Sequence, residues 1–150
     1  MNDPKVSIKD IIADNWNASN TSSITPRIHT GWFDIKATTP QVTITDTSEV
    51  VEAGGITAYT GISTNGTPAK LWVGTAAVNI WVTREAVSIN PKQCLFEMRK
   101  EIERIIKAKY DDVSDLDYLS WKGGFEQVES DQSPVVYRFV GEVGYAYLDS

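Results

Sequence analysis

Apolar residues follow two rhythms along this chain, one of helical period and one of strand period. Ile8, Ile12 and Trp16 recur every four residues with Ile11 beside them, which makes one apolar stripe. Ser7 stands where an N-cap would, Asp10 lies near the orphan amides, and Val6 and Ile11 occupy staple positions. The pattern predicts a short helix over about 7–16. Leu95, Met98, Ile102, Ile105 and Ile106 form a second, longer stripe. It follows Asn90 as N-cap, Pro91 at the first helical position and Gln93 as the partner of a capping box. Arg99–Glu103 and Glu103–Lys107 add four-apart charge pairs on the wet side. This pattern predicts a helix over about 91–110.

Between and after these stripes the period shortens to two. Arg27–Trp32 reads as a strand, and Gln41–Thr45 alternates with Val42 and Ile44 inward. Lys70–Thr83 is rich in β-branched and aromatic residues, with Val78, Ile80 and Val82 on one face and Ala77, Asn79, Trp81 and Thr83 on the other. Leu116–Trp121 and Phe125–Glu129 flank Gly123-Gly124, a bulge or bend. Val135–Leu148 sets Tyr137, Phe139, Val143, Tyr145 and Tyr147 against Arg138 and Glu142. Asp46–Pro68 contains Gly54-Gly55 and Asn65-Gly66, both turn signals, and reads as an exposed loop or a hairpin excursion using Ile56–Ile62. The order is helix, strands, helix, two strands. It predicts one soluble α+β domain over residues 1–150, a mostly antiparallel sheet packed against the two helices, and no doubly wound nucleotide fold.

Charge and composition narrow the partners. The chain has 150 residues and a net charge of −6, the wrong sign for sequence-specific nucleic-acid binding, although DNA could slide past such a surface. One cysteine excludes an internal disulfide framework and a multi-thiolate zinc site. No segment approaches the ~20 apolar residues of a membrane span, and the N-terminus lacks a secretory pattern, so Asn17, Asn20 and Asn65 read as chance glycosylation matches.

Candidate chemistry is sparse. His29, the one histidine, lies on a predicted strand, and a Ser-His or Cys-His pair would need a distant serine or Cys94, which sits inside the capped helix. Asp111, Asp112, Asp115 and Asp117 are the densest carboxylate group and the one candidate metal site, but their spacing lacks the glycine and closing glutamate of an EF-hand. The glycines match no phosphate cradle, so no cofactor is expected. Aromatic residues at strand ends and loops suit an interface; the candidates are Trp32, Phe33, Tyr59, Asn65 and Trp72.

Taken in order, the N-terminal helix, Arg27-Ile28-His29-Thr30-Gly31, Pro40-Gln41-Val42-Thr43-Ile44, Val78-Asn79-Ile80-Trp81-Val82, the helix at 91–110 and Tyr137-Arg138-Phe139…Tyr145 resemble the tail-terminator or tail-completion proteins of tailed viruses. The resemblance covers nearly the whole chain as a topology with loose motifs. It implies a structural, non-enzymatic virion subunit, assembled in the host cytoplasm, that forms a ring, commonly hexameric, at the head-proximal end of the tail tube. Its partners would be the tail tube and the head connector. The family has no catalytic residues to carry over. A tail-tube or head–tail connector subunit, a cellular module binding a partner or small ligand between aromatic strand faces, and a hydrolase using His29 are the competing readings. In the ring reading, strand edges and the 46–68 excursion make the joins, and deleting residues 50–66 is expected to leave a folded monomer with impaired ring formation.

Overall fold

The first helix starts earlier than its apolar stripe suggests. α1 spans Pro4–Asn15, capped by Asp3, whose carboxylate accepts from the Lys5 amide at 2.9 Å. Pro4 takes the first helical position, where its missing N–H costs nothing. Ser7 therefore lies one turn inside the helix, buried, instead of at its cap. α2 spans Pro91–Ala108, 18 residues, with Asn90 as the expected cap accepting from the Lys92 amide. The Gln93 side chain reaches forward to Glu97 and leaves the capping box half formed. α2 ends two residues before 110, where the Lys109 amide closes on the Ile105 carbonyl.

The computed structural model describes residues 3–18, 23–34, 40–51, 59–62, 68–83, 90–129 and 135–149. Six strands follow α1 and surround α2 in sequence: β1 (Arg27–Thr30), β2 (Gln41–Val51), β3 (Tyr59–Ile62), β4 (Pro68–Thr83), β5 (Tyr118–Glu129) and β6 (Val136–Asp149). They form one sheet in the order β1-β2-β4-β6-β5, with β3 paired to β4 beyond the end of β2. Only β1 and β2 run parallel; the other pairs are antiparallel. The fold is α+β, a mostly antiparallel six-stranded sheet with two helices.

Three strand boundaries differ from the sequence pattern for visible reasons. β1 stops at Thr30 instead of Trp32, because Gly31 takes φ +102°, a left-handed conformation that ends an extended run. Asp46–Val51, expected in the excursion, continues β2, and Tyr59–Ile62 pairs antiparallel with β4. Asn65 lies outside the described residues, as do Gly54 and Gly55. Tyr118–Glu129 is a single strand whose register shifts between Trp121 and Gly124, so the double glycine is a bulge.

Both helices pack on one face of the sheet. Ile8 and Ile12 of α1 join Leu95, Met98, Ile102, Ile105 and Ile106 of α2, against Val42, Ile44, Val78, Ile80, Val82, Phe139 and Val143. Each fully buried aliphatic side chain contributes on the order of 1.5–3 kcal/mol, which is what holds this layer. The opposite face carries Thr43, Asn79, Trp81, Arg138 and Phe125, by the alternation and register of the strands.

Candidate interaction surface

The face away from the helices is built around Trp81. The left-handed turn at Gly31 carries the chain back over β2 and β4, so Trp32 and Phe33 land on the Trp81 indole. Their ring centroids are each 5.1 Å away, one edge-on and one stacked. The Arg138 guanidinium lies 4.4 Å from the Trp81 centroid and 5.0 Å from Trp32, a cation between two indole faces. Beneath it Arg138 donates to Asn79 Oδ1 at 2.7 Å, Asn79 Nδ2 donates to Thr45 Oγ1, and Trp81 Nε1 donates to Thr43 Oγ1. Asn79, Thr43 and Gln41 are wholly buried, so this network replaces water on a face that the sequence pattern leaves open. Trp32 itself remains 61 % exposed.

His29 belongs to the same layer and is fixed there by Gln41. The Gln41 oxygen accepts from the Asp34 amide at 3.0 Å and faces His29 Nε2 at 3.0 Å, while its nitrogen donates to the Asp34 carbonyl. An amide N–H can only donate, which orients the Gln41 side chain and makes Nε2 of His29 the donor to it. Cys94 lies across the sheet on α2, buried, its Sγ 3.7 Å from Met98 Sδ. Burial, aided by Glu97, pushes the Cys94 thiol up to about 11, the reverse of what a nucleophile needs. The structure thus separates the two members of the conceivable Cys-His pair.

Trp72 does not join Trp32 and Phe33. Trp81 pairs with Gln41 at one end of β4 and Trp72 with Val51 at the other, roughly 30 Å away at strand rise and on the opposite face. There Trp72 stacks on Tyr147 and Tyr147 on Tyr145, both with centroids 6.4 Å apart, while Glu49 accepts from the Tyr145 hydroxyl at 2.6 Å and the Tyr147 hydroxyl at 2.9 Å. Trp72 is consequently packed into the helix-side layer instead of forming one interface patch with Trp32. Tyr59 is placed on β3 beside Lys70 by its backbone. Asp111, Asp112, Asp115 and Asp117 are exposed, and among the described residues no three His, Cys, Asp or Glu side chains come together to hold a metal ion.

The groove that sequence reasoning missed lies between α2 and β5. It encloses about 620 Å³ between Ile106, Lys107 and Tyr110 on the helix side and Leu119 and Trp121 on the strand side. Trp121 is held by stacking on Phe139 at 6.2 Å. Glu103 at the rim is bridged by Lys100 at 3.1 Å and Arg99 at 3.6 Å, whereas Lys107 makes no ion pair among the described residues. β5 is the terminal strand, and no other strand among the described residues pairs with its outer edge. Phe125 and Val128 project from it, 59 % and 44 % exposed.

These features define a two-layer α+β protein with an aromatic-covered sheet face and a terminal strand, β5, that no further strand pairs with among the described residues. No protein-family model matches the chain, and no curated protein matches its sequence. Among the described residues no helix is long and apolar enough to cross a membrane.

Proposed function

We propose that this protein is a structural subunit that works by assembling. In its most specific form it is a tail-terminator or tail-completion subunit of a tailed virus, forming a homo-oligomeric ring between the tail tube and the head connector. The observation that carries the assembly reading is β5. It is 12 residues long, ends the sheet without a strand partner among the described residues, and presents Phe125 and Val128 to solvent. An edge of that length and character is a template for another chain unless something covers it. A ring requires a heterologous join, one patch meeting a different patch on its neighbour, and an open edge beside a groove suits that role. The net charge of −6 is compatible with a DNA conduit that does not grip phosphates. The viral and tail-end assignment, with its hexameric ring number and its place in the virion, draws on the topological resemblance alone.

A partner-binding module of cellular origin is the second reading, favoured by the groove of about 620 Å³ beside Trp121. Mass in solution separates the two. The ring reading expects hexamers, or a mass that climbs with concentration, in native mass spectrometry and light scattering. A persistent monomer, also in the presence of a tube protein, overturns it and leaves the binding module.

A further inference from the structure

The groove between α2 and β5 has a shape and charge that select an occupant. Its floor is apolar and rigid: Ile106 belongs to the buried stripe of α2, and Trp121 is stacked on Phe139. Its long side is a strand edge, whose backbone donors and acceptors repeat at the spacing of another strand and of nothing else. At the groove's end the Leu119 amide is already taken, donating to the Tyr110 carbonyl at 2.6 Å in the turn after α2, so the edge offered to another strand runs from Trp121 onward. Glu103 is neutralised by Arg99 and Lys100, so the charge on the wall without an ion-pair partner among the described residues is the Lys107 ammonium. The chain is acidic overall, and this wall is locally basic.

We propose that the groove receives an extended peptide segment that pairs with the outer edge of β5. It sets an apolar side chain against Ile106, Tyr110 and Trp121, and places a carboxylate on Lys107. Strand addition supplies affinity through main-chain hydrogen bonds, and the groove supplies selectivity through alternate side chains. This deepens the assembly reading, since it names the chemistry of the partner that would join at β5.

The test uses two fluorescein-labelled, proline-free peptides, one alternating valine with aspartate and the other valine with lysine. Fluorescence polarisation with the full chain is expected to rise for the aspartate peptide at a concentration about fivefold lower than for the lysine peptide. Lys107→Glu is expected to reverse that preference, and bound peptide to slow hydrogen exchange at β5 amides. Absence of binding by either peptide overturns the proposal. So does equal binding of both that Lys107→Glu leaves unchanged. Native mass of the untreated chain reports on the assembly reading separately. A ring whose subunits ignore both peptides sinks the groove proposal alone, and a persistent monomer that binds the aspartate peptide sinks the ring alone.

Discussion

Glu101 on α2 accepts a hydrogen bond from the backbone N–H of Asn17, 84 residues earlier in the chain, at 2.9 Å. Asn17 sits just past the end of α1 in a left-handed conformation, φ 57°, so its amide turns toward α2. Arg104 completes the clasp by pairing with Glu101 and donating to the Asn15 carbonyl at 2.9 Å. A wholly buried carboxylate thereby takes up a backbone donor just past the helix end, while its own cation donates to the last carbonyl of α1, which also accepts from the Ala18 amide.

Glu101→Ala removes the carboxylate and leaves Arg104, partly buried, without its ion-pair partner at the end of α1. Stability is expected to fall by about 3 kcal/mol, since breaking a buried pair strands the partner charge. Urea unfolding should show a lower midpoint at unchanged slope, and hydrogen exchange should rise first in α1. An unchanged midpoint would show that the clasp is decorative.

Gly74 offers no room for a side chain. An added Cβ would sit 2.6 Å from Cζ of Tyr145 and 2.8 Å from the Ser48 carbonyl oxygen, and the backbone atom cannot yield. Gly74→Ala is expected to cost about 2 kcal/mol by overpacking, read as a lower midpoint in thermal unfolding.

Alkaline pH should unfold the protein through two buried groups. The Cys94 thiol rises from 9.0 to about 11, and burial together with the Glu49 hydrogen bond drives the Tyr145 hydroxyl well above its usual 10.0. A raised acid binds its proton more tightly when folded. The stability it confers is full below the unfolded value and is lost as pH climbs toward the folded one. Cys94 alone gives a decline of about 1.4 kcal/mol per pH unit between 9 and 11. Cys94→Ala should remove the onset near pH 9, leaving the Tyr145 contribution from pH 10 upward, and pH-dependent urea midpoints check the difference.

Trp32 shields a guanidinium as well as an indole. Trp32→Ala is expected to cost about 1 kcal/mol in lost cation–π and stacking contacts, and to change the near-ultraviolet circular dichroism of Trp81. Arg138→Lys, which keeps the charge and loses the planar fork, should reproduce most of that loss in stability.

Much of the fold is legible in the periodicities, and the exceptions have local causes. Asn90, Pro91 and the stripe through Ile106 announce α2 because capping and amphipathicity agree there. Ser7 misplaces the start of α1 because two cap signals compete within four residues, and Asp3-Pro4 wins by combining a carboxylate cap with a proline at the first position. Glu49 could not be assigned a face from alternation. The irregularity between Thr45 and Ser48 shifts the phase of β2, turning Glu49 toward Gly74 and the tyrosines. Trp32 and Trp72 look alike in sequence, each near a turn, and only the register of β4 places them at opposite ends and faces. The α2–β5 groove was hidden for a similar reason. Ile106 reads as core and Trp121 as a strand residue, and the space between them exists only once the helix is laid across the edge.

The order β1-β2-β4-β6-β5 carries a consequence for how the molecule is made. β6 is the last of the six strands to leave the ribosome, yet it lies inside the sheet, paired with Lys70–Thr83 on one side and with β5 on the other. Until it arrives, β4 has one naked edge over its length and β5 has no partner strand. Closing the sheet then requires contacts of long sequence separation, which fold slowly. A nascent chain halted before Val136 would expose the β4 edge and an unpaired β5 at once, so dependence on chaperones is expected to peak in the interval between synthesis of β5 and of β6.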